Sequence, residues 1–160
     1  MNRIDKAILG KNVKALREAV GLSQHDFSAL LEISKRSLAS IELGSTNTTL
    51  DLISNISSFF GLSIDELTNT ELKIKNKFRD TIIEFHSGNN KYLAILNKRP
   101  NLTFAINYEL LKSNFLEKPR EVNEVKSFLA KLGWNYLGTS ISNALKRERS
   151  QIKRFMRLNF

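Results

Sequence analysis

Any chemistry done by this 160-residue chain falls to its cations and its small polar side chains. Lys and Arg number 25 against 16 Asp and Glu, a net charge of +9, and there is no cysteine. Without cysteine there is no disulfide framework, no thiol nucleophile and no Cys-based zinc site. The two histidines, His25 and His86, stand far apart in sequence and do not suggest a metal or acid–base centre. No Gly-rich phosphate loop occurs. Neither an enzyme, a cofactor nor a metal is expected. What remains is hydrogen bonding and charge, concentrated in two places. Ser34-Lys35-Arg36-Ser37, with Ser40 a turn further on, groups two cations with hydroxyls. Residues 146–157 set Lys146, Arg147, Arg149, Lys153, Arg154 and Arg157 against the single acid Glu148, with Ile152, Phe155 and Met156 interleaved. Guanidinium forks and ammonium groups suit phosphates and guanine edges. Taken alone, both stretches also fit ordinary solvated helix faces.

The charge is unevenly placed. Residues 1–69 hold 7 basic and 8 acidic residues, net −1, whereas residues 70–160 hold 18 and 8, net +10. A polyanion is the natural partner for such a chain. No apolar run reaches the ~18 residues of a membrane span, and residues 1–6 lack the order of a signal peptide. A cytoplasmic protein without membrane contact is expected.

The elements that must carry these residues punctuate themselves. Ile8, Leu9, Val13, Leu16 and Val20 recur at helical spacing, and Gly21 follows as a left-handed stop. Ser23 opens a second helix with Phe27, Leu30 and Leu31 inward, and Ser34 caps a third carrying Leu38 and Ile41, which ends at Gly44. Thr49 caps a fourth, with Leu50, Ile53, Ile56, Phe59 and Phe60 inward, and Ser63-Ile64-Asp65-Glu66 is a capping box for a fifth. Asn69 to Lys77 reads as a linker or connecting helix. Further helical patterns follow around 78–85, 92–96, 119–132 and from about Ser140, while 102–108 fits helix or strand and is read as helix. The expected fold is mainly α: a five-helix domain over 1–69, a link over 70–77, and a second small, basic, mostly helical domain over 78–160.

Three runs carry a resemblance to a known family: Leu16 through Leu31, including Gly21-Leu22-Ser23-Gln24; Ile33 through Gly44; and Leu50 through Leu67, including Phe60-Gly61-Leu62-Ser63. Over roughly residues 8 to 68 the sequence resembles the lambda-repressor/Cro-like (XRE-type) helix-turn-helix family. The resemblance implies a DNA-binding domain whose third helix enters the major groove. Lys35 and Arg36 would be the first side chains at base edges, with Ser37 and Ser40 beside them. Gln24 matches the family position that holds a backbone phosphate, and Ser45, Thr46, Asn47 and Thr48 would add phosphate contacts. Ala29 is read as the small residue that lets the third helix cross the second closely. Arg17 and Glu42 match an ion pair tying helix one to helix three. A net charge of −1 is low for such a domain, so dimerisation or the basic second half would have to help.

The second half says less. Glu121 to Arg147 has a winged-helix-like outline, and Asn143, Lys146, Arg147, Arg149, Lys153 and Arg154 could add DNA or phosphate contacts. The expectation is a transcriptional regulator, most simply a homodimeric repressor on a palindromic operator of double-stranded DNA. The alternative is an antitoxin-like or other regulator whose residues 78–160 grip a protein partner.

Overall fold

Asp5 opens the first helix, its carboxylate accepting from the backbone N–H of Ala7 at 2.8 Å and of Ile8 at 3.3 Å. Two donors that would otherwise lack partners are thereby satisfied. Gly21, at φ 79°, turns the chain out of the helix where a side chain would be strained. In the computed structural model, which describes residues 3–147, this helix is α1 (Lys6–Val20). It is followed by α2 (Gln24–Leu30), α3 (Lys35–Glu42), α4 (Leu50–Phe59) and α5 (Ile64–Leu67). The caps read from the sequence are in place. Ser23, Ser34 and Thr49 each accept from the N–H three residues on. Ser63 and Glu66 bond each other's backbone at 3.1 and 2.8 Å.

These five helices close around Leu9, Val13, Leu16, Phe27, Leu38, Ile56 and Leu67, all at most 2% exposed. Asn12 is buried as well, and its amide donates to the carbonyls of Leu67 and Asn69, both at 2.8 Å, fastening the end of α5 to α1. Leu50, expected inward, is 65% exposed. The buried residues of α4 are Ile53, Ile56, Ser57 and Phe59, and Leu50, in its first turn, is not among the residues packed on the core.

The first compact unit continues beyond the fifth helix to Lys98, and the second begins at Arg99. The division therefore lies after the 70–77 link taken from the sequence as the domain boundary. Helices α6 (Phe78–Phe85) and α7 (Asn90–Leu96) add Ile82 and Leu96 to the first core, with Phe78, Ile83, Tyr92 and Ile95 packed against it. The reason is local chemistry. Phe59 and Phe60 form a ring cluster with Phe27, and α6 and α7 cover it with Phe78, Tyr92 and His86. His86 stacks on Phe59 at 4.9 Å and its Nε2 lies 2.7 Å from the Phe59 carbonyl oxygen. Arg79, on α6 and buried, donates to the carbonyls of Val20, Leu96 and Lys98, so one guanidinium joins the ends of α1 and α7.

In the second unit, Asn101 caps α8 (Leu102–Phe104), which widens into a π-helical stretch over Ala105–Leu110. The segment that fitted helix or strand is thus helical. A 3₁₀ turn at Asn114–Glu117 leads to α9 (Val122–Lys131) and α10 (Gly138–Arg147). Ile106, Leu110, Val125, Leu129, Ile141 and Leu145 make its core. Glu124 bonds the Glu121 backbone N–H at 2.8 Å and Arg120 at 3.0 Å at the start of α9.

Two expectations follow. The Glu121 N–H and Arg120 hold the Glu124 carboxyl below the usual carboxylate value. Its contribution is therefore present at neutral pH and declines as pH falls through that lowered value. The urea midpoints of the protein and of Glu124→Gln should converge as pH is taken down through the carboxylate range. Secondly, Arg79→Ala leaves buried carbonyls without donors. It should cost on the order of 3 kcal/mol in urea unfolding and raise amide exchange in α7.

Candidate nucleic-acid interface

The turn between α2 and α3 is tight because Glu32 takes a left-handed conformation, φ 57°. The Ile33 N–H reaches back to the Ser28 carbonyl at 3.0 Å. Ser34 then caps α3, and its hydroxyl and that of Ser37 are hydrogen-bonded at 2.8 Å. Leu38 and Ile41 turn inward, which leaves Lys35, Arg36 and Ser37 exposed on the first turn. Lys91, from α7, meets Glu32 at 2.7 Å, so the turn is also held from the side. That contact draws the Glu32 carboxyl down and the Lys91 ammonium up from their ordinary values.

What fixes α3 is α1. A Cβ built on Gly10 would stand 2.2 Å from the Ile41 carbonyl oxygen and 2.8 Å from that of Glu42. The two helices approach at a distance that only glycine allows. A Cβ on Gly44, at φ 66°, would stand 2.8 Å from Ala7 Cα. Ala29, read as the small residue of a close crossing, is instead exposed. The close approach belongs to α1 and α3. An isolated glycine within a helical pattern was the available signal for it.

Beside Gly10's contact lies the ion pair. Arg17 Nε meets Glu42 Oε1 at 2.6 Å and Nη2 meets Oε2 at 2.9 Å, with the side chains 8% and 3% exposed. Arg17 Nη1 also donates to the Leu22 carbonyl at 2.9 Å. Gln24 Nε2 donates to Glu42 Oε2 at 2.9 Å. Gln24 is thereby fixed at the start of α2, with a second amide hydrogen left for another acceptor.

A shallow groove of about 400 Å³ runs between α3 and the loop that follows it. It brings Arg36, Ser37 and Ser40 together with Thr46, Asn47 and Thr48, and adds Thr49, expected from the sequence only as a helix cap. Lys35 and Ser45 are exposed outside its lining. Ser45 donates to the Ser40 carbonyl at 3.1 Å and Thr46 to that of Asn47 at 3.4 Å, which shapes the loop. The arrangement can donate from guanidinium, ammonium and hydroxyl groups toward one strip of acceptors. In the second unit, Asn143, Lys146 and Arg147 are exposed on α10. Arg149, Lys153 and Arg154 lie outside the described residues. Among the described residues, no helix is long and apolar enough to cross a membrane.

Residues 13–67 match the helix-turn-helix family model. This segment is a helix-turn-helix domain of the lambda-repressor/Cro-like (XRE) type, the class of domain that binds DNA. The chain is also similar to Antitoxin PezA of Streptococcus pneumoniae serotype 4 (strain ATCC BAA-334 / TIGR4), with 32% identity over 73 residues. That match covers 46% of this chain and 46% of the relative, about half the length of each. No solved structure matches the chain.

The buried pair yields a sharp expectation. Glu42→Leu leaves Arg17 without its countercharge and should destabilise the protein by about 3–5 kcal/mol, as should Arg17→Met for Glu42. The double replacement Arg17→Met/Glu42→Leu should cost much less than either single change. Urea unfolding of the four proteins completes the cycle, and additive losses would contradict a coupled pair.

Proposed function

We propose that the protein is a cytoplasmic, non-enzymatic transcriptional repressor that binds a palindromic operator as a homodimer. The observation that carries this reading is the first turn of α3. Lys35 and Arg36 stand exposed there on a helix held rigidly by Gly10 and the Arg17–Glu42 pair. Such a helix can lie in the major groove with its N-terminal side chains at base edges. Arg36 and Lys35 donate to guanine O6 and N7, and Ser40 supports them from the next turn. Gln24, Ser37, Ser45, Thr46 and Asn47 contact phosphates and set the register. Two-fold sites are the usual target of such helices, since one reads too few bases alone.

The similarity to Antitoxin PezA favours a second reading. In it the helix-turn-helix domain regulates its own promoter and the remainder of the chain holds a protein partner.

Binding selection from genomic fragments tests both readings, since each requires a bound site. The full-length protein should enrich a palindromic site. Lys35→Ala/Arg36→Ala should lose that enrichment, with each lost base contact costing about 1–3 kcal/mol. An unchanged site in the double variant would show that α3 is not the reader. An enriched site confined to the protein's own promoter would favour the second reading, and no enriched site at all would contradict both.

A further inference from the structure

Most of the net positive charge lies in the second unit. Residues 99–160 hold 12 basic and 5 acidic residues, net +7, against 13 and 11 in residues 1–98, net +2. Among the described residues, α10 arranges part of that charge. It buries Ile141, Ala144 and Leu145. Its other side exposes Thr139, Ser140, Asn143, Lys146 and Arg147, with no carboxylate among them. At 100° and 1.5 Å per residue, these five fall within an arc of about 120° and a strip about 12 Å long. That length is close to the ~12 Å width of a major groove.

The neighbouring α9 offers an internal comparison. Its exposed side mixes Glu124 with Lys126 and Lys131, the pattern of a solvated helix. Cations at the end of α10 also suit the helix dipole, which accounts for the position of Lys146 and Arg147. It does not account for the neutral donors aligned with them.

We propose that this face of α10 is a second contact for double-stranded DNA. Lys146 and Arg147 neutralise phosphates, and Ser140 and Asn143 hydrogen-bond the groove edge. The proposal rests on the DNA-binding reading of the chain and extends it. The helix-turn-helix unit, at net +2, contributes little of the phosphate neutralisation on which affinity depends.

The test is a salt titration of full-length protein on a random-sequence duplex, read by fluorescence anisotropy. Lys146→Ala/Arg147→Ala should lower the slope of log affinity against log salt by about 2, at roughly 0.9 per phosphate contact. It should leave the selected site unchanged. Asn143→Asp, which adds an anion to the strip and removes no cation, should weaken binding too. Lys126→Ala/Lys131→Ala, on α9, should behave as the unaltered protein, and circular dichroism confirms that each variant is folded. An unchanged slope in the α10 variant overturns the proposal and leaves the strip to an acidic protein surface. An equal drop in the α9 variant also overturns it, because the contact is then diffuse charge. Failure of the α3 reading shows separately, as a site preference that survives Lys35→Ala/Arg36→Ala. No DNA binding by the unaltered protein sinks both.

Discussion

The approach of α1 to the end of α3 is the constraint on which the DNA-facing surface depends. Gly10 lets the α1 backbone come against the carbonyls of Ile41 and Glu42, and that closeness puts Arg17 within bidentate reach of Glu42. Removing two charges from water is costly. Here the cost is offset by bonds that leave little unpaired: both carboxylate oxygens accept from Arg17, the Leu22 carbonyl takes another guanidinium hydrogen, and Gln24 adds a donor. The pair does more for orientation than for net stability. Glu42 has one low-energy place to be, so α3 has one rotation about its axis, and the exposed first turn follows from that.

The same logic of carbonyls meeting a buried cation recurs at the other side of the unit. Arg79 gathers carbonyls from the end of α1 and from the end of α7, where helix dipoles leave partial negative charge. The ring cluster around Phe59 then supplies apolar area that α6 and α7 must cover. Lys91 reaches from α7 to Glu32 in the turn. Helices beyond the segment matched by the helix-turn-helix family model therefore brace the turn that aims α3.

Charge and shape are divided between the two units. The first carries the exposed first turn of α3 on a unit of net +2, and the second carries net +7. Affinity for DNA rests largely on phosphate neutralisation, whereas specificity rests on base-edge contacts. A chain that separates the two can alter one without disturbing the other.

Local rules made much of this legible from residues alone. Ser23, Ser34, Thr49 and Ser63 marked helix starts because a short side-chain oxygen beside a free N–H is a nearest-neighbour effect. Gly21 and Gly44 marked stops for the same reason. The outward place of Lys35 and Arg36 followed from the burial of Leu38 and Ile41 on the opposite side. The rest needed contacts between residues distant in sequence, which no local pattern encodes. Leu50 was apolar and at a plausible spacing, yet no neighbour packs over that side of α4. Residues 78–98 carried the apolar pattern of any helical pair, and only the uncovered rings of Phe59 and Phe60 assign them to the first unit. Gly10 could have been an incidental weak point in α1 until Ile41 and Glu42 were seen against it. Sequence by itself determined the helices, their caps and the family of the first domain, because those depend on neighbours along the chain. The tertiary structure alone decided which helices share a core and what holds α3 in place, because those depend on distances across it.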